Sequence, residues 1–162
     1  MGFQKQVNIN PPLAVEGNFA SSTYMYHAVL AGVQELTAGT NGVTIARFAY
    51  ADPATGKVAN AKTAGHILGF VRRGDNTALI TNWLAESSML IPAGYGVTLY
   101  DQGDFWVKTK TAATAGQKVF ADDVTGEIST GAAGATIAGS TETNFKVASN
   151  GDANTLIKIT AV

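Results

Sequence analysis

The chain has 162 residues, 46% of them hydrophobic and only 14% charged, with a formal net charge of −1 and no cysteine. That length favours one domain with a real core, and the apolar content argues against disorder throughout. The missing cysteines exclude disulfides, thiol catalysis and cysteine-ligated zinc, while the lack of any Lys/Arg block disfavours direct nucleic-acid binding.

Average soluble proteins are about a quarter charged. Here Thr, Asn, Ser and Gly must carry the surface polarity, which suits a surface partly covered by neighbours. No run approaches the ~18 apolar residues of a membrane span, so no membrane partner is expected. Residues 1–10 are polar and alternating, unlike a secretory leader, and the chain reads as made and kept in the cytosol, or assembled into something there.

Phe3 to Ile9 alternates apolar and polar side chains and then meets Pro11-Pro12. Prolines lack the amide a central strand needs, so the segment is either an extended arm that adds to another molecule's sheet or an edge strand of the chain's own sheet. Residues 24–30, YMYHAVL, are aromatic and β-prone without helical spacing. Asn41-Gly42 signals a turn, and residues 43–50, VTIARFAY, read as one strand after it. Residues 57–65 are too weakly patterned to assign. Residues 67–71, ILGFV, form a short apolar run. Residues 78–84, ALITNWL, fit a strand better than two helical turns because of their Ile, Thr and Trp.

Residues 87–108, SSMLIPAGYGVTLYDQGDFWVK, look like the centre of a sheet. Residues 97–100 and 105–110 alternate in character around Asp101-Gln102-Gly103-Asp104, which predicts an antiparallel hairpin reversing at those four residues. Residues 89–91 predict a third strand just before it. Further short strands are expected at 117–121, 127–130, 136–138, 144–148 and 155–160, with a tight turn at Asp122-Asp123 and Gly126. Short strands at such spacing, and 18 glycines, predict an all-β fold. The expected architecture is a compact β-sandwich, jelly-roll-like, or a partly closed barrel.

No motif carries chemistry. His27 and His66 lie far apart in sequence and outside any metal-ligand spacing, and each reads as a packed or surface residue. Asp101, Gly103 and Asp104 fall short of a calcium loop. Adjacent Asp122 and Asp123 would point to opposite faces of a strand, which is poor geometry for an acid–base pair. Gly94-Tyr95-Gly96 is followed by a strand rather than a helix, so it is no dinucleotide fingerprint. Arg73-Gly74-Asp75 is too short to mean more than a polar turn. No catalytic, cofactor or metal residue is assigned, and an enzyme is not expected.

Several segments together resemble the capsid cement (decoration) proteins of tailed bacteriophages. They are PLAVEGNFA (12–20), NGVTIARFAY (41–50), GFVRR (69–73), MLIPAGYGVTL (89–99), GDFWVK (103–108) and AGQKVFA (115–121), in the family's order. The resemblance implies a non-enzymatic virion protein, made in the host bacterial cytoplasm, on the outer surface of the head. Its implied partners are the phage major capsid protein and copies of itself, a homodimer in preference to a homotrimer. The domain organisation that follows is an N-terminal extended arm at 1–12 and a single β domain at 13–162. Phe3, Val7, Ile9 and Phe19 are the expected partner contacts. Two rivals remain: a carbohydrate-binding or adhesion β-sandwich on the virion surface, with Trp83, Trp106 or Tyr95 as its platform, and an enzyme with an unmotifed polar cleft.

Overall fold

The computed structural model describes residues 14–22, 26–30, 35–74 and 88–162. Within them the chain is all β. Its strands are β1 (His27–Ala28), β2 (Thr37–Ala38), β3 (Val43–Thr44), β4 (Phe48–Ala51), β5 (Lys57–Ala59) and β6 (Ile67–Val71), then β7 (Leu90–Ile91), β8 (Leu99–Lys108), β9 (Lys118–Asp122), β10 (Ile128–Gly131), β11 (Ser140–Val147) and β12 (Leu156–Ala161). Ten of them make one sheet in the order β10-β9-β11-β12-β8-β6-β4-β5-β2, with β1 also on β8; β3 and β7 make a second, small sheet. The expected strand at 78–84 and the arm–domain boundary at 12/13 lie outside the described residues.

Strand β8 is the shared element. Its start pairs with β6 through Tyr100↔Phe70 and with β1 through Tyr100↔Ala28. Its second half pairs with β12 from Gly103↔Ala161 to Lys108↔Leu156. The predicted hairpin is therefore wrong: Asp101-Gln102-Gly103-Asp104 bends one continuous strand instead of reversing it. Gly103 sits at φ 125°, where L side chains are strained, and the Tyr26 ring occupies the place where its Cβ would be. A glycine inside a strand marks such a bend. The turn composition was real, but the pairing partners on either side lie elsewhere in the chain.

The two halves joined by β8 face each other across a phenylalanine core. Phe105 and Phe70 stack with ring centroids 4.7 Å apart, Phe48 meets Phe70 at 5.6 Å, and Phe145 meets Phe48 at 5.5 Å. Val107, Val119, Ile128, Ile157 and Ile159 complete that core, all buried. Aromatic pairs in these geometries add to what their buried area contributes. The arrangement is a β-sandwich in kind.

Strand β4 is buried on both faces. Phe48 joins the phenylalanine core, whereas Ala49 and Ala51 join a second cluster with Val43, Val58, Val71, Ile91 and Leu99. Small side chains on that second face let the β3–β7 ladder and the residues around Ala38 lie close over it. The ladder itself pairs Val43 with Ile91 and Thr44 with Leu90. This corrects one expectation. Residues 43–50 are not one strand, because the chain turns at Ile45-Ala46 with Ala46 at φ 60°. The expected strand at 89–91 is present as β7, and its partner is β3. The expected strand at 136–138 is also absent.

Turns fall where expected at Asn41-Gly42 and between β9 and β10. In the latter, Asp122 Oδ1 accepts hydrogen bonds from the Val124 and Thr125 amides and the Thr125 hydroxyl, at 3.0, 2.7 and 2.9 Å. The turn abuts β4: the Gly126 carbonyl accepts from the Phe48 amide at 2.9 Å, and a side chain at Gly126 would strike the Phe48 carbonyl oxygen.

Gly103→Ala should destabilise the fold by about 2–4 kcal/mol, from backbone strain plus displacement of the Tyr26 ring. The check is urea unfolding, with a lower midpoint and an unchanged slope. A loss under about 1 kcal/mol would mean that β8 does not depend on this bend.

Candidate interaction surface

The stretch leading from the N-terminal segment is stitched along β8. The Gly17 amide donates to the Trp106 carbonyl at 2.7 Å, the Trp106 amide to Asn18 at 2.9 Å, and the Ala20 amide to Asp104 at 2.8 Å. Gly17 in turn accepts from the Arg73 amide at 2.9 Å. Residues 17–20 thus act as an added strand, and Phe19 bridges Phe105. Of the expected contact residues, Phe3, Val7 and Ile9 lie outside the described residues.

Phe19 is half-buried in an aromatic nest. Its ring lies 3.9 Å from Tyr26, 5.7 Å from Phe105 and 6.0 Å from Tyr100. The Arg72 guanidinium sits 4.1 Å from its centroid, a cation–π arrangement. Most of the Phe19 ring is therefore engaged by its own chain. Next to the nest, His27 Nδ1 and Asp101 Oδ1 form an exposed cross-strand pair at 2.6 Å. Neither partner was paired with the other in the sequence reading, because register between β1 and β8 is not a local property.

A charged cleft with a volume of about 240 Å³ is lined by Glu16, Arg47, Lys108, Lys110, Glu127 and Asn154. Glu127 anchors it: Arg47 Nη2 lies 2.9 Å from Oε1, Lys110 pairs with Oε2, and Arg47 Nη1 reaches the Thr125 carbonyl at 3.3 Å. Burial pushes against the Glu127 carboxylate, but the Lys110 hydrogen bond and the Arg47 charge together hold it below its ordinary range. Glu16 goes the other way, raised by burial against the weaker pull of Lys108, Arg47 and Arg73. A carboxylate clamped by two cations holds elements together; it is poorly set up to exchange protons. The cluster had no sequence signature, since its members come from five separate segments.

A smaller cavity of about 130 Å³ lies among Phe48, Leu68, Tyr100, Asp101 and Phe145. Asp101 and Asp104 run along β8 rather than around a loop, and among the described residues no group of three or more His, Cys, Asp or Glu could hold a metal ion. Of the aromatic residues expected as a sugar platform, Tyr95 is exposed at 45%, Trp106 is half-buried on β8, and Trp83 lies outside the described residues.

A family model described as XM1 gp53 minor capsid protein matches residues 3–161. The chain belongs to that family. Among solved structures, a chain of "The capsid of Myoviridae Phage XM1" superposes with a TM-score of 0.56 at 16% identity, covering 99% of this chain and 97% of that one. At that identity the likeness is one of fold. No curated protein matches. The expected kinship with phage capsid-associated proteins is met, and membership gives the chain a structural role in a virion.

Two of the shifted acids, Asp122 and Glu16, give opposite pH signatures. Asp122 is held low first by the Thr125 amide, with the Thr125 hydroxyl and Val124 amide adding to it. Its stabilisation is complete above the ordinary carboxylate range and fades as pH falls through its lowered value. Asp122→Ala should cost about 1–2 kcal/mol at pH 7 and progressively less below about pH 4. Glu16 is raised, so its charged form costs stability above its folded value. Glu16→Gln should therefore raise the Tm at pH 7, with the gain vanishing toward acid pH. Thermal melts across pH check both, and parallel curves for either variant and the parent would sink the assignment.

Proposed function

We propose that the chain is a capsid decoration (cement) protein that binds the outer surface of the assembled phage head and stabilises the major-capsid lattice, as a symmetric homodimer. The observation that carries this reading is the family match over residues 3–161. The fold supports it in kind. Both ends of the ten-stranded sheet are already occupied among the described residues. On β2 the Ala38 amide donates to Tyr95 at 2.8 Å and accepts through its carbonyl from Gly94 at 2.9 Å. On β10 the Ile128 carbonyl accepts from the Lys110 amide at 2.8 Å and the Thr130 amide donates to Thr111 Oγ1 at 2.9 Å. Covered edges suppress indiscriminate sheet-to-sheet pairing. Association then runs through side-chain faces and through the arm at 1–12, with Phe3, Val7 and Ile9 as its apolar contacts and Phe19 at its root.

The mechanism is differential binding. A protein that binds the expanded lattice more tightly than the precursor lattice stabilises the expanded state by that difference. Repeated sites and paired copies convert modest single contacts into avidity.

Sedimentation with capsids assembled without this chain tests the reading. Saturable binding to expanded shells, absent on precursor shells, at a copy number set by lattice symmetry, is the expected result. Binding to neither shell would end it. Deleting residues 1–10 should weaken capsid binding by tenfold or more, about 1.4 kcal/mol, without changing the thermal melt. Unchanged affinity would remove the arm from the interface.

A further inference from the structure

The outward face of β8, β12 and β11 gathers lysines around a tryptophan. Phe105, Val107, Ile157, Ile159, Phe145 and Val147 point into the core, so the residues alternating with them point out. The β8–β12 ladder sets Lys158 opposite Trp106, Leu156 opposite Lys108 and Thr160 opposite Asp104, and Lys146 of β11 lies opposite Thr160. Lys158 Nζ rests 4.9 Å from the Trp106 ring centroid.

Most other cations of the described chain are already engaged. Arg47 and Lys110 hold Glu127, Lys62 lies 3.6 Å from Asp123, and Lys118 lies 3.8 Å from Glu142. Arg72 stacks on Phe19, Arg73 Nη1 points at the Met89 sulfur at 3.4 Å, and Lys57 donates to Thr37 at 3.0 Å. Lys146, by contrast, makes no side-chain hydrogen bond or ion pair among the described residues, Lys158 has only the ring, and Lys108 is drawn electrostatically to Glu16 without an ion pair or side-chain hydrogen bond. Among the alternating positions that share this face, Asp104 and Glu142 are the carboxylates, Glu142 lying 3.8 Å from Lys118, set against Lys108, Lys146 and Lys158. In a chain whose net charge is −1, this is a local positive excess.

We propose that this Trp106-centred lysine face docks on an acidic polypeptide surface of the capsid, whose carboxylates seat on Lys108, Lys146 and Lys158 around the indole. The inference rests on the capsid-binding reading and adds to it the face used and the chemistry of the partner. Three observations select that occupant. Trp106 is half-buried and braced by Lys158, so little side-chain freedom remains to be lost on docking, and tryptophans at the centre of an interface carry a large share of its energy. Ammonium groups at its margin that no ion pair within the fold holds are placed to meet and steer opposite charge. Stacking of bases requires an open aromatic face, and here the lysine lies over the ring, which disfavours single-stranded nucleic acid.

The test is co-sedimentation with expanded capsids assembled without this chain, across a range of sodium chloride. Wild-type protein should bind saturably and lose affinity as salt rises. The triple variant K108E/K146E/K158E should bind at least about tenfold more weakly, with an unchanged circular dichroism spectrum, whereas K57E on β5 should bind as wild type. Should the triple variant not fold, K146E alone, at an exposed position, should still weaken binding and flatten its salt dependence. Equal binding by the folded charge-reversed protein and wild type overturns the face while leaving the cement reading intact. If wild type itself fails to bind capsids, both fall. Loss of self-association in sedimentation velocity with capsid binding retained would assign the face to contact between copies, and binding of duplex DNA or anionic vesicles as tightly as capsids would remove the acidic polypeptide; either result overturns the proposal.

Discussion

Everything in this molecule hangs on the bend of β8 at Gly103. One strand serves two cores: Leu99 lies in the cluster under β3–β7, while Phe105 and Val107 lie among the phenylalanines. A strand can change neighbours this way only if its backbone rotates sharply without losing the ladder on either side. Gly103 supplies the rotation, with φ 125°. Tyr26 then fills the volume a side chain would have taken, and the stitched residues 17–20 close along the outer half of the strand. The bend, the ring and the added strand are mutually dependent, so residues 17–20 are positioned by the same feature that joins the two halves of the sandwich.

The sequence made some of this legible and hid the rest for definable reasons. Short apolar runs bounded by turn residues exposed β6 and β9, which are buried at three successive positions, while β10 and β12 alternate buried and half-exposed residues and write their two faces into the sequence. Asp122 and Gly126 announced their turn, because an Asx turn is closed by groups within a few residues of one another. Asp101-Gln102-Gly103-Asp104 carried the same composition and misled, since nothing local distinguishes a chain that reverses from one that bends between distant partners. Ala46 was hidden more completely. Only its φ of 60° splits β3 from β4, and alanine carries no turn signal. Pairing of β3 with β7 was likewise invisible, being a matter of which apolar faces meet.

For the interaction surface the division is similar. Phe19 was picked out by its apolar character after the prolines, and its ring proves to be spent largely on Tyr26, Phe105 and Arg72. The lysines at 108, 146 and 158 looked like scattered single charges. They converge only through the β8–β12 and β11–β12 registers, and a charge count or a run search along the chain cannot see convergence across strands.

The low charge content gains a meaning from this arrangement. On the proposed decoration role, a protein that occupies many equivalent positions on a shell gains little from a generally sticky surface, which would bind wrong partners and other copies. Pairing Arg47 and Lys110 to Glu127, Lys62 to Asp123 and Lys118 to Glu142 neutralises those cations within the fold. Positive charge then remains available mainly where a rigid strand pair presents it. Because the registers fix the spacing of Lys108, Lys146 and Lys158 on one sheet, a complementary acidic surface is met as a pattern rather than as diffuse charge. Contacts that are individually weak and salt-screened suffice when the lattice repeats them, since avidity multiplies with the number of sites engaged.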